Sequence, residues 1–395
     1  MLYYIKYKTM MNPKVENDTT DDFNTLKFTL SGVNVSFANA IRRTLLSDIP
    51  VVIFKTMPHE ENLANFIANT SRMNNELLKQ RLSCIPIHLN PDDLPLDRLL
   101  LEVDVTNETD SVMYVTTEHF KIRDIQTGKY LPQHKLDDIF PPFIPNGNTK
   151  YYIDFVRLRP RISDEIPGEK IKFTCKFAIG SARIDSCFNV VGTCAYGCTV
   201  DKSARDIALA KKVQELADAG ESKAAIDFQA KNWVLLDGMR FVKQDSFDFI
   251  LQSVCLYSNE YLMVISCNVL IHKLQTINDA LQVDSLEIEP SKNTMSNCYD
   301  VTLKNEDYTV GKILEFMLYT KFFENMKILS YCGFKKMHPH DTDSIIRVAY
   351  KNPIDKSGIK LNLHECATES IEFIHKIREM FATTAKKKNP ESASA

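Results

Sequence analysis

No apolar run in this sequence approaches the roughly 20 residues that a membrane-spanning helix needs, so membrane insertion is not expected. An excess of one charge is missing as well. Lysines and arginines number 48 against 51 aspartates and glutamates, a net charge of −3. That balance argues against a protein whose main task is to coat nucleic acid, while leaving room for local basic patches. The ten cysteines show no paired spacing, which removes a disulfide framework and points to reduced thiols in a cytosolic compartment. The opening stretch, MLYYIKYKTMMNPKVENDTTDD, lacks the apolar centre of a secretory signal and reads as a polar tail.

Catalytic signatures are scarce too. Metal-dependent nucleotidyl transfer needs clustered carboxylates that hold two ions roughly 4 Å apart. The nearest groupings are Asp21-Asp22, Asp137-Asp138 and Asp341 with Asp343, and none sits in a glycine-rich, strand-supported loop. They read as exposed turn acids. A phosphate-binding loop of the GxxxxGKS/T kind and a GxSxG elbow are both missing. His338 and His340 flank Pro339 beside Asp341, a set able to bind metal, but a strand-connecting turn is the simpler reading. Cys194 and Cys198 are four apart, which zinc tolerates on spacing alone. With no second close pair, free and metal-free cysteines are expected. No catalytic residue, cofactor or metal site is predicted.

What the sequence does carry is strand and helix periodicity, with 44% hydrophobic and 25% charged residues as in ordinary globular proteins. In SFANAIRRTLLSDIP (36–50), Phe37, Ala40, Ile41, Leu45 and Ile49 have the spacing of one buried helix stripe. Ser36 is the expected cap, Arg42 and Arg43 fall off the stripe, and Pro50 closes the segment. Before it, Leu26, Phe28 and Leu30 alternate with Thr25, Lys27 and Thr29 as a strand with one buried face. After it, VVIFKTM (51–57) reads as a second strand. NTSRMNNELLKQRLSCIPIHL (69–89) supplies another helix through Met73, Leu77, Leu78 and Leu82, followed by an extended exit.

Short alternating segments broken by prolines fill 90–167 and suggest a β-rich insert, with PPFIPNGN (141–148) as a surface loop. SARDIALAKKVQELADAGESKAAIDFQAK (203–231) favours a solvated helical insertion broken near Gly220, with Trp233 anchoring it. FDFILQSVCL (247–256) reads as a strand buried on both faces. A long helix follows from Ser258, with Leu262, Ile265, Val269, Leu270, Leu274, Ile277 and Leu281 in three-and-four spacing. Beyond the polar stretch 284–297, the opening unit recurs. CYDVTLKNEDYT is strand-like, Thr309 is the expected cap, and Val310, Ile313, Leu314, Met317 and Leu318 form the helix stripe. Strands at 328–340 and 344–350 and a closing helix over 361–381 complete it.

The pair NAIRRTLLSDIP and NTS…ELLKQRLSCIPI resembles the assembly subunit of cellular RNA polymerases: bacterial alpha, its archaeal counterpart and the third subunit of eukaryotic RNA polymerase II. The second unit, KNEDYTVGKILEFML followed by GFKKMHPH and a strand, is similar to the eleventh subunit. One chain holding both resembles the gene fusion found in large nucleocytoplasmic DNA viruses. Some relatives carry a metal or iron–sulfur module in the insert; this chain departs from them, with no cysteine between Cys84 and Cys175.

The resemblance implies an α+β fold in which two alpha-like dimerisation units form an intramolecular pseudo-dimer, the first interrupted by a β-rich subdomain. The expected parts are a flexible tail (1–22), a first dimerisation domain (23–53 and 199–283) and the insert (54–198). A linker (284–297), a second dimerisation domain (298–385) and a disordered tail (386–395) follow. The resemblance further implies a non-catalytic assembly platform for transcription. Its partners would be the largest and second-largest polymerase subunits and a small subunit of the tenth-subunit type. DNA would be met only through the complex, in the viral factory of the host cytoplasm and in the virion.

Phe37, Ile41, Leu45, Ile313, Leu314, Met317 and Leu318 would pair the halves, while Asn39, Arg42, Arg43, Leu46 and Arg81 would face other subunits. The rival is an independent nucleic-acid-binding protein presenting Arg42, Arg43, Arg72 and Arg81 to phosphates.

Overall fold

The computed structural model describes residues 11–91, 95–145, 149–163, 165–254 and 256–388. The chain opens with β1 (Lys14–Thr20), β2 (Thr25–Ser31) and α1 (Val35–Ser47). It continues through β3 (Val51–Ile53), β4 (Ala64–Asn69), α2 (Asn75–Ser83), β5 (Leu99–Thr106), β6 (Met113–Thr116) and β7 (Lys121–Asp124). Next come α3 (Gln133–Ile139), β8 (Asp154–Leu158), β9 (Lys170–Lys176), β10 (Ala178–Gly180) and β11 (Val191–Val200). The helices α4 (Lys202–Asp218) and α5 (Lys223–Leu235) precede β12 (Val242–Ser253) and α6 (Asn259–Gln282). The last part is β13 (Ile288–Pro290), β14 (Cys298–Leu303), α7 (Tyr308–Leu318), β15 (Leu329–Lys335), β16 (Ser344–Tyr350) and α8 (Lys356–Lys388). These elements form two compact units, the second made by Ser47–Val190 and the first by most of the remainder.

The first unit contains two antiparallel four-stranded sheets, ordered β1-β2-β12-β11 and β13-β14-β16-β15. The correspondence extends beyond the sheets. In each, two strands lead into a short helix (α1 or α7), two more strands complete the sheet, and a long helix (α6 or α8) follows. One strand–strand–helix–strand–strand–helix pattern therefore occurs twice. In the first copy the second unit interrupts between α1 and β11, and α4–α5 between β11 and β12. Gly220, with φ at +80°, turns the chain between those two helices, a backbone state that glycine adopts without a steric penalty.

Burial follows the sequence periods. Leu26, Phe28 and Leu30 on β2 are buried opposite Leu251, Phe249 and Phe247 on β12, and the Phe28 and Phe249 rings stack with centroids 5.1 Å apart. The expectation that β12 is buried on both faces fails, because Ile250 and Val254 are exposed. An antiparallel sheet covered on one face needs apolar residues on that face only.

The second unit is β-rich, with a sheet ordered β4-β9-β5-β7 and the pairs β6-β8 and β3-β10. Phe120, Phe155 and Phe173 lie at its centre with Leu78 and Leu82 of α2. Asn74 caps α2 by accepting from the Leu77 amide at 2.9 Å.

Several expected boundaries move. Residues 14–20, placed in a flexible tail, form β1 on the edge of the first sheet. Their sequence, KVENDTT, hides this because main-chain pairing with β2, rather than an apolar face, makes the strand. Ile288–Pro290, inside the expected linker, forms β13, and α8 runs on to Lys388. The rest of the expected carboxy-terminal tail, like residues 1–10, lies outside the described residues. β3 pairs with β10 in the second unit, whereas β11 joins β12 in the first. The strand expected over 328–340 stops at Lys335.

Candidate subunit interface

Helix starts fix the geometry within the first unit. Asn34, not Ser36, sits at the head of α1, its side-chain oxygen accepting from the Ser36 amide at 2.9 Å. Asp307, not Thr309, caps α7 in the same way, accepting from the Thr309 amide at 2.8 Å. An Asn or Asp carboxyl or amide oxygen reaches the amide two residues ahead, so the cap falls before the residue that the apolar stripe suggests.

That shift frees the Thr309 hydroxyl, and Arg43 uses it. Arg43 Nε donates to Thr309 Oγ1 at 3.0 Å and Nη2 to Asp307 Oδ2 at 2.8 Å. A guanidinium on α1 thereby grips the first turn of α7, its planar fork meeting two acceptors at once.

Apolar contacts surround this grip. Phe37, Ile41, Leu45, Ile313, Leu314, Met317 and Leu318, expected to pair the halves, are all buried. Phe37 packs edge-on against Phe373 of α8 at 4.8 Å and Phe316 of α7 at 6.3 Å. The long helices α6 and α8 form a second and larger seam that the sequence did not single out. Asn278 donates to Thr368 and faces His364, and Arg378 donates to Asn268 at 3.1 Å. Buried Lys321, which follows α7, reaches Glu365 and Glu369 of α8. Burial alone would lower its pKa, but the two carboxylates outweigh that and hold the ammonium above its ordinary value.

Asn39 and Arg42 of α1 are each half-buried, with Arg42 Nε and Nη2 donating to Asn39 Oδ1 at 3.0 and 2.9 Å. Leu46 is half-buried at the end of α1. A cleft of about 470 Å³ is lined by Asn39 and Tyr196 from the first copy and Lys312, Glu315 and Tyr319 from the second. Arg81 belongs to the second unit, where Nε donates to the Phe155 carbonyl at 2.8 Å and Nη2 to the Asp154 carbonyl at 2.9 Å. The four arginines of the rival reading are thus split between units, and Arg43 is committed within the first.

The carboxylate groupings serve local structure. Asp21 accepts from the Phe23 and Thr25 amides, Asp137 from Lys150, Gln133 and Tyr152, and Asp343 from the Asn305 amide. Cys194 and Cys198 both lie on β11, where four residues of rise separate them by about 13 Å. Two zinc ligands with bonds of about 2.3 Å do not span that distance. Burial pushes the Cys194 thiol up to about 12. Among the described residues no group of three or more His, Cys, Asp or Glu side chains could hold a metal ion, and no helix is long and apolar enough to cross a membrane.

A family profile described as the RNA polymerase Rpb3/Rpb11 dimerisation domain matches residues 27–321. Among curated relatives, the DNA-directed RNA polymerases I and III subunit RPAC1 of Homo sapiens is 28% identical over 185 residues, 44% of this chain and 51% of that one. The subunit of the same name in Dictyostelium discoideum is 27% identical over 237 residues, 53% of this chain and 62% of that one. The DNA-directed RNA polymerase subunit Rpo3 of Pyrococcus furiosus is 40% identical over 77 residues, 20% and 27% of the two chains. The chain spans about half the length of the first of these relatives.

Proposed function

This chain belongs to the RNA polymerase Rpb3/Rpb11 dimerisation-domain family, and we propose on that premise that it is a non-catalytic assembly subunit of a multisubunit DNA-directed RNA polymerase. Its two copies of one fold act as a third-subunit-like half and an eleventh-subunit-like half, fused and paired within one polypeptide. The observation that carries this reading is the repeated sheet order, β1-β2-β12-β11 and β13-β14-β16-β15. The paired platform presents Asn39, Arg42 and Leu46 to the second-largest subunit. The largest subunit and a small subunit of the tenth-subunit type complete the set of partners, and DNA is met through them. The fused arrangement supports, as part of the same proposal, an origin in a large nucleocytoplasmic DNA virus, with the protein in the viral factory of the host cytoplasm and in the virion.

Arg42 is the residue to test, since Arg43 already has partners inside the chain. Arg42→Glu should shift stability by no more than about 0.5 kcal/mol, as partly exposed substitutions usually do. In an assembled interface, leaving a charged partner unpaired costs roughly 2–5 kcal/mol. Co-expression with the second-largest subunit should therefore show loss of capture by a normally melting protein. Undiminished capture, with only DNA affinity falling, would replace this reading with the nucleic-acid-binding one.

A further inference from the structure

The second unit contains a cleft of about 680 Å³ whose walls carry four arginines: Arg72, Arg81, Arg157 and Arg159. Their neutralisation is unequal. Arg159 is matched, its Nε donating to Glu169 Oε1 at 2.6 Å while its amide donates to Oε2 at 2.7 Å. Arg81 is fixed by two main-chain carbonyls, which orient its guanidinium without cancelling its charge. Arg72 and Arg157 are exposed, and their guanidinium groups have no hydrogen-bond or ion-pair partner among the described residues. Three positive charges thus converge on a space in which Asp154 is the single lining carboxylate. Such a local excess of positive charge favours an anionic ligand.

The rest of the lining indicates what kind of anion fits. Half-buried Met73 adds apolar surface over the buried Phe155 and Val156, and exposed Tyr114, opposite Arg157 in the β6–β8 register, adds an amphipathic ring. We propose that this cleft docks an acidic segment of a partner polypeptide, whose carboxylates pair with Arg72 and Arg157 while an apolar side chain enters between them. Arg81, already held by carbonyls, is the pre-positioned third contact. Arginine forks match carboxylates in two-pronged pairs. Nucleic acid fits less well: single strands are held by long basic grooves with successive stacking aromatics, and here one aromatic ring, Tyr114, is exposed. Identifying the partner as another polymerase subunit rests on the assembly reading above; the acidic chemistry does not.

The test uses the full chain and a fluorescein-labelled peptide of glutamates around a central phenylalanine, read by anisotropy. Saturable, salt-weakened binding is expected. The variant Arg72→Glu with Arg157→Glu, which leaves the Arg81 and Arg159 contacts in place, should bind at least about tenfold more weakly with an unchanged melting temperature. The same variant should gain affinity for a lysine–phenylalanine peptide, a rescue that general damage to the unit cannot mimic. No binding by wild type, equal binding by the variant, or displacement of the peptide by single-stranded oligothymidylate would each overturn the proposal. Subunit capture through Arg42 is scored separately, so its failure beside intact peptide binding would condemn the assembly reading alone.

Discussion

The two copies of the fold inside the first unit share their strand order but not their surfaces. Aligning the caps Asn34 and Asp307 places Asn39 beside Lys312, Arg42 beside Glu315 and Arg43 beside Phe316 in equivalent positions. Both helices carry a polar pair three residues apart on the same face: Arg42 donates to Asn39, and Lys312 pairs with Glu315. The sign at the second position is reversed. At the third position the first copy uses a guanidinium to grip the other helix, while the second uses a ring that packs on Phe37. The shared part is what folding requires, a buried stripe and a capped helix start. The part that differs gives the two copies unlike exposed faces.

The largest expected effect separates neighbours in the first copy. Arg43→Ala removes charge-assisted bonds to Asp307 and Thr309 and should destabilise the protein by about 1.5–3 kcal/mol, read as a shift of the urea midpoint. Arg43→Lys should recover only part of this, because an ammonium cannot span both acceptors with a planar fork. Arg42→Ala should stay within about 0.5 kcal/mol. Equal losses at the two arginines would show that the grip across the copies is unimportant.

A smaller effect probes the helix seats. Gly311 of α7 is equivalent to Ala38 of α1, yet a methyl at Gly311 would lie 2.0 Å from the Phe334 ring. Overpacking of that kind costs about 1–3 kcal/mol, offset by about 1 kcal/mol from the better helix propensity of alanine. Gly311→Ala should therefore lose roughly 1 kcal/mol. Stabilisation instead would mean that Phe334 swings away freely and that the two seats are interchangeable.

The α+β class and both short helices were legible because a buried stripe writes its period into the sequence, as at Phe37, Ile41 and Leu45. The caps were misplaced because several residues near each helix start can accept an amide hydrogen, and only the backbone path selects Asn34 and Asp307. β1 left no apolar trace, since an edge strand is defined by its pairing. Within the candidate site, the sequence set Arg42 and Arg43 off the stripe but could not tell them apart. The partner of Arg43 belongs to the other copy, and that pairing exists only once both copies have folded. Arg72 and Arg157 were unreadable as a cluster for the same reason: the segment leading into α2 and strand β8 meet in space, not in sequence.

The smallest expected effect contrasts the sheets. Asp300 of β14 faces Arg347 of β16, with Arg347 Nε and Nη2 donating to its two oxygens at 2.6 and 2.8 Å. The equivalent pair in the first sheet is Lys27 opposite Ile250, which has no such charge complement across the strands. The Arg347 bonds hold the Asp300 carboxyl below its ordinary pKa despite an opposing contribution from burial. Because the folded-state value is the lower one, the pair's contribution is full above the unfolded carboxylate pKa of about 3.9 and fades as pH falls through the folded value. Asp300→Asn should thus lose about 0.5–1 kcal/mol at neutral pH, the scale of a cross-strand ion pair. That loss should shrink in acid until wild type and variant melt together. A deficit in Asp300→Asn that stays constant from neutral pH into acid would assign the effect to packing and remove the electrostatic difference between the two sheets.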